Sequence, residues 1–153
     1  MSWDIIAIYS QTKIPKEDVL KYNFPDMGYI DVIIKNINEV VEGINWTDVE
    51  YPHISNGLYR GYFNIGIEKG ICKDFWFHVY GGDDPTEVIS KVCKANNWQA
   101  FDLTTGDYID LIEPDEIGWI KFQFSRDEIR KAIENNPKLL NILKNKKWWE
   151  FWK

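Results

Sequence analysis

Residues 75–111 run FWFHVY, GGDDP, TEVISKVCKANN, WQAFDL, TTGD and YIDL without interruption. FWFHVY alternates apolar and polar residues with the period of two that a half-buried strand requires. Gly81-Gly82-Asp83 is turn chemistry. Asp84 reads as a helix N-cap, Pro85 as the first helical residue and Glu87 as the closing member of a capping box. Val88, Ile89, Val92, Cys93 and Ala95 then share one helix face, and Asn96-Asn97 end the helix. Residues 99–103 and 108–111 form a hairpin around Thr104-Thr105-Gly106-Asp107. A strand leading through a helix to a second strand permits a right-handed crossover.

Upstream, residues 58–80 read as another hairpin. Tyr59, Phe63, Ile65 and Ile67 alternate on its first strand, and Ile71, Phe75, Phe77 and Val79 on its second. Both sets must face one core, which sets Ile67 opposite Ile71 and predicts a three-residue loop with Gly70 left-handed. The other face then pairs Arg60 with His78, Tyr62 with Trp76 and Asn64 with Asp74, and it continues to Tyr80.

Residues 3–9 form a short apolar strand. Residues 11–25 read as loop with one helical turn after Pro15, and residues 29–41 as an amphipathic helix ending near Gly43. Residues 119–124 fit strand or loop. Ser125-x-x-Glu128 reads as a capping box opening a helix to about residue 135, and Asn136-Pro137 restarts a second helical run toward Trp152. The sum is one α+β domain over 1–153: a mainly antiparallel β-sheet of about five strands with packed α-helices and C-terminal helices.

At 153 residues and 44% hydrophobic, the chain can bury a full core. The net charge is −6, unevenly spread: residues 126–153 hold eight Lys/Arg against four Asp/Glu, which leaves −10 on the remainder. An acidic body repels phosphate backbones, so nucleic acid is excluded as the expected partner. No apolar window is long enough to span a membrane. The opening MSWDIIAIYS lacks the basic n-region and long apolar run of a signal peptide, which predicts a cytoplasmic protein. Cys72 and Cys93 show no metal-ligand spacing and read as free thiols. No metal and no cofactor is implied, and nothing fixes an oligomeric state.

The chain also resembles a family of small, uncharacterised bacterial proteins. The matching steps are Ser2-Trp3-Asp4, Met27-Gly28, Trp46-Thr47-Asp48, the run from His78 through Gly81-Gly82 to Asp84, Trp98-Gln99-Ala100-Phe101-Asp102, Thr105-Gly106-Asp107-Tyr108-Ile109-Asp110 and Gly118-Trp119. Tyr80 stands where that pattern has Arg, and Asp83 where it has Gly. The resemblance implies the fold. By analogy alone, such proteins resemble the immunity proteins of toxin systems.

Two sets of residues carry candidate chemistry. If Phe101 and Leu103 face the core with Ile109 and Leu111, Asp102 lies directly across from Asp110. Paired carboxylates share a proton, bind a cation or take a basic neighbour. With His78 as a lone base, they define a small enzyme or metal-binding protein; capping carboxylates are the structural alternative. Gly81-Gly82-Asp83-Asp84 matches neither dinucleotide nor Walker spacing and reads as a turn. The second set is Arg60, Tyr62, Trp76, His78 and Tyr80, residue types that dominate interface energetics. It predicts a non-enzymatic module that binds a protein partner. The aromatic, basic tail with Trp148, Trp149, Phe151 and Trp152 reads as packed on the body or touching that partner.

Overall fold

A computed structural model describes residues 2–54, 59–82, 84–114 and 117–137. The second C-terminal helical run, the Trp-rich tail and Asp83 lie outside the described residues. The fold is α+β, with one antiparallel sheet. Its strands are β1 (Trp3–Ile8), β2 (Gly28–Tyr29), β3 (Ile44–Asn45), β4 (His53–Ile54), β5 (Tyr59–Glu68), β6 (Ile71–Gly82), β7 (Gln99–Asp102) and β8 (Asp107–Tyr108). The order is β3-β4-β5-β6-β1-β7-β8, with β2 on β6, so the sheet has eight strands rather than about five. The added ones are two-residue pairings, too short to leave a periodic signature. β6 is long enough to hold β1 and β2 in tandem along one edge: β1 pairs with residues 76–79 and β2 with residues 71–72.

Three helices join the sheet: α1 (Ile30–Val40), α2 (Thr86–Ala95) and α3 (Ile117–Asn135). α1 buries Ile30, Ile33 and Ile37, and α2 buries Val88, Ile89, Val92 and Cys93. They pack with Trp3, Ile5, Phe63, Ile65, Phe75, Phe77 and Val79 of the sheet into the main core. A smaller cluster on the reverse face joins Ile6, Ile8 and Phe101 to Ile14 and Val19, which descend from the polar segment after β1. That segment contains the expected single turn, at Val19–Lys21. β1 is buried along its whole length because it is covered on both faces.

Apart from Ile71, the 59–82 ribbon keeps the expected faces but not the expected partners. Glu68 pairs with Ile71, so the loop is two residues, with Lys69 at φ 51° and Gly70 at φ 76°. This is the doubly left-handed turn that suits strand twist. Tyr62 lies opposite His78, Asn64 opposite Trp76, Gly66 opposite Asp74 and Arg60 opposite Gly81. Bulges leave Lys73 and Tyr80 unpaired. The first turns Cys72 inward where Ile71 was expected.

The helix starts also differ. α2 begins at Thr86, whose backbone N–H donates to the Asp84 carboxylate at 2.9 Å, while Glu87 pairs with Lys91 at 3.0 Å instead of closing a box. Asn97 ends that helix at φ 57°. Residues 119–124 belong to α3, where Trp119 and Phe122 enter the main core three residues apart. Ser125 is inside that helix, and its hydroxyl donates to the Lys121 carbonyl at 2.7 Å, so it caps nothing.

Candidate functional site

Asp4 is the odd residue of an otherwise apolar central strand. A carboxylate there must find donors. Alternation turns it to the reverse face, opposite His78 of β6. Its Oδ1 lies 2.6 Å from His78 Nδ1 and accepts the Ser2 hydroxyl at 2.5 Å. Tyr62 of β5, also opposite His78, stacks on the imidazole with centroids 4.8 Å apart. His53 of β4 sits opposite Tyr62 at 5.7 Å. A row therefore crosses four strands: His53, Tyr62, His78, Asp4. Burial, and then the negative field of Asp4, push the Tyr62 phenol above its ordinary range.

Around this row the reverse face is aromatic and partly open. Trp76 is half-buried, its ring nearly parallel to His78, and Tyr80 is 41% exposed. Arg60 is exposed, but its guanidinium lies over Gly81, where a Cβ would stand 2.7 Å from Nη2. Among the described residues, the segment carrying Ile14 and Val19 covers the β1 and β7 half of this face. The face thus gathers all five residues expected to bind: Arg60, Tyr62, Trp76, His78 and Tyr80.

The carboxylates form a separate cluster on the other side of β1. Asp102 lies across from Asp107, not Asp110, because Phe101 pairs with Tyr108 on the reverse face. Asp102 is 2% exposed. Its Oδ1 accepts the Trp3 indole N–H at 2.9 Å, the Thr104 N–H at 2.7 Å and the Thr105 N–H at 3.4 Å. Oδ2 presses against Gly118 of α3. Burial raises the Asp102 carboxyl above its ordinary range, and the three donors oppose that shift. Trp119 meets Trp3 at 5.6 Å, so the carboxylate pins the start of α3 to the sheet.

Asp110 is exposed and closes a turn, accepting the Ile112 and Glu113 N–H groups at 2.9 and 3.1 Å. Those bonds hold its carboxyl below the ordinary range. A cleft of about 260 Å³ is lined by Trp3, Asp102, Asp107, Asp110, Gly118 and Lys121. Asp102 and Asp110 therefore share a cleft, while His78 belongs to the opposite face. Among the described residues, no group of three or more His, Cys, Asp or Glu is placed to hold a metal ion. No helix among them is long and apolar enough to cross a membrane.

Sequence reasoning passed over Asp4, Ser2 and His53 as site residues. The signal for Asp4 was legible: a buried acid in a strand needs a partner, and His78 was the histidine already placed on a strand. His53 gave no signal, since β4 is two residues long. Comparison with family models, curated proteins and solved structures finds no match for the chain.

Proposed function

We propose that the protein is a non-enzymatic binding module that engages a protein partner through the reverse face of its sheet, immunity-like in acting by stoichiometric occlusion. One observation carries the reading: Tyr62, Trp76, His78 and Tyr80 stand together, partly exposed, on paired strands. Rings held by strand pairing lose little freedom on docking, and Tyr and Trp are the side chains that most often anchor interfaces. The acidic body argues for a protein over a nucleic acid. Two buried free thiols suit a reducing compartment such as the cytoplasm.

A second reading, a small enzyme or metal-binding protein using Asp102 and Asp110, draws on the cleft they share. It is the weaker of the two, because each carboxylate is already engaged by backbone donors. A photocrosslinking residue at Tyr80, compared with one at Lys35 on the exposed side of α1, tests the first reading. Position 80 should trap one protein at one-to-one stoichiometry, and position 35 none. Trp76→Ala and Tyr62→Ala should weaken the purified complex about tenfold or more. Equal affinity in both variants, with folding intact, would refute the docking face.

A further inference from the structure

We propose that residues 144–153, a basic and aromatic segment of this chain, occupy the groove at the C-terminal end of α1, with lysines against its acids and aromatic rings against its apolar surface. This contact is separate from the docking face and does not depend on it. The groove encloses about 570 Å³ between α1 and α2. Glu39, Glu42 and Glu87 line it against Lys91, and Val40 and Tyr59 add apolar surface. Lys91 is already answered by Glu87 at 3.0 Å. Three acids less one base leave the lining at a net charge of −2. α1 ends in this groove, and its last turn holds no basic residue. Carbonyls at a helix C-terminus carry a partial negative charge, which favours a cation and disfavours the two glutamates beside it. Acids gathered around such a helix end call for a basic occupant.

The chain supplies one. Residues 144–153 hold four Lys against one Glu, and they also carry Trp148, Trp149, Phe151 and Trp152. That much aromatic surface on a short segment needs cover. Lysine stems can lie along the same apolar surface while their heads meet carboxylates. The connection is long enough. Arg126 Nη1 of α3 lies 3.5 Å from the Tyr80 carbonyl, and Tyr59 of the groove pairs with Gly82, two residues further along β6. From Arg126 to Asn135, α3 advances nine residues, about 14 Å. Residues 138–148 span up to about 35 Å when extended.

Disulfide trapping in the full chain tests the contact, because Cys72 and Cys93 are buried and do not compete. Val40→Cys places a thiol in the groove, and Asn145→Cys places one among the lysines. With oxidised glutathione this pair should close within one molecule, at a rate independent of protein concentration. It should close at least about tenfold faster than Asn145→Cys paired with Lys16→Cys, which lies beside Asp107 at the far edge of the sheet. Salt at about 1 M, where the Debye length falls to about 3 Å, should reduce that advantage. Glu39→Lys with Glu42→Lys should slow the groove pair about tenfold, and adding Lys146→Glu with Lys147→Glu should restore it. Lysine at a helix C-terminus is itself favourable, so the groove variant keeps its fold. Equal rates for the two pairs, closure only between molecules, or a groove variant that traps as fast as its parent would each overturn the proposal. Failure of the tail charges to restore trapping would do the same. So would faster trapping at Gln123→Cys, beside the exposed Ile120 and Phe124 of α3.

Discussion

Gly118→Ala should destabilise the protein, although the same change at an ordinary helix position stabilises. Alanine gains up to about 1 kcal/mol over glycine within a helix. At Gly118 that gain is opposed by a collision. A Cβ would be driven into Asp102 Oδ2 and would stand 3.0 Å from Trp3 Cζ2. Neither neighbour can retreat freely. Asp102 is fixed by the Trp3 indole and the Thr104 and Thr105 amides, and Trp3 is 1% exposed. Overpacking of this kind costs about 1–3 kcal/mol. A carboxylate pushed off a buried donor costs about 1–3 kcal/mol more. The net expectation is a loss of about 2 kcal/mol, hence a Tm lower by about 4–8 °C for a chain of this length. Urea unfolding should show a lower midpoint with an unchanged slope. When Gly118→Ala is combined with Asp102→Ala, the obstructing oxygen is gone, and the penalty of the added methyl should shrink by more than about 0.5 kcal/mol. A Tm equal to or above the parent's would refute the packing of α3 against this carboxylate.

The raised Asp102 carboxyl has its own consequence. A folded-state value above the unfolded one contributes stability that is complete below the unfolded value and is lost as pH rises through the folded value. Asp102→Asn cannot ionise, so the stability difference between parent and variant should shift in the variant's favour as pH climbs from about 4 toward neutrality; denaturant melts across that range check it, and parallel curves would contradict it. Gly70→Ala places a Cβ on a residue at φ 76° and should cost about 1 kcal/mol in the same assay, with no change pointing to a different turn. The Cys72 thiol is pushed up to about 12, by burial first and then by the field of Asp74, and burial alone pushes Cys93 up as well. A thiol reagent at about pH 8 should therefore leave both unlabelled in the native state and label both on unfolding; rapid native labelling of Cys93 would contradict its burial.

What the sequence yields tracks whether the deciding contacts are local. α2 was legible because turn residues and a 3.6-residue period sit within one window. The faces of the 59–82 ribbon were legible because alternation survives an even slip: moving Tyr62 from Trp76 to His78 is a step of two, which exchanges partners without exchanging sides. The partners themselves were hidden, since bulges at Lys73 and Tyr80 each insert a residue, and the first puts Cys72 rather than Ile71 on the core side. The proposed Asp102–Asp110 pair failed for a different reason. It assumed that Phe101 points at the main core, but a second core on the reverse face takes Phe101. One of the donors that make a buried Asp102 tolerable is 99 residues away at Trp3. Ser125 carried the letters of a capping box, yet a serine hydroxyl can also satisfy itself on the carbonyl four residues back.

Neighbouring residues of β1 connect these observations. Trp3 and Asp4 point to opposite faces, and each makes a polar contact to a distant strand: Trp3 to Asp102 of β7, Asp4 to His78 of β6. A one-residue slip of β1 would turn Asp4 into the main core and Trp3 onto the reverse face, leaving Asp102 short of a donor and a carboxylate buried among phenylalanines. Apolar burial alone specifies this strand weakly, because Ile5, Ile6 and Ile8 would be content on either side. The two polar contacts therefore fix the register of β1, and the docking row is aligned as a consequence, since His78 is held by the same carboxylate. This is why Asp4→Asn, which keeps a polar partner for Nδ1, is the informative substitution at the site, whereas Asp4→Leu would leave His78 without that partner and confound recognition with folding.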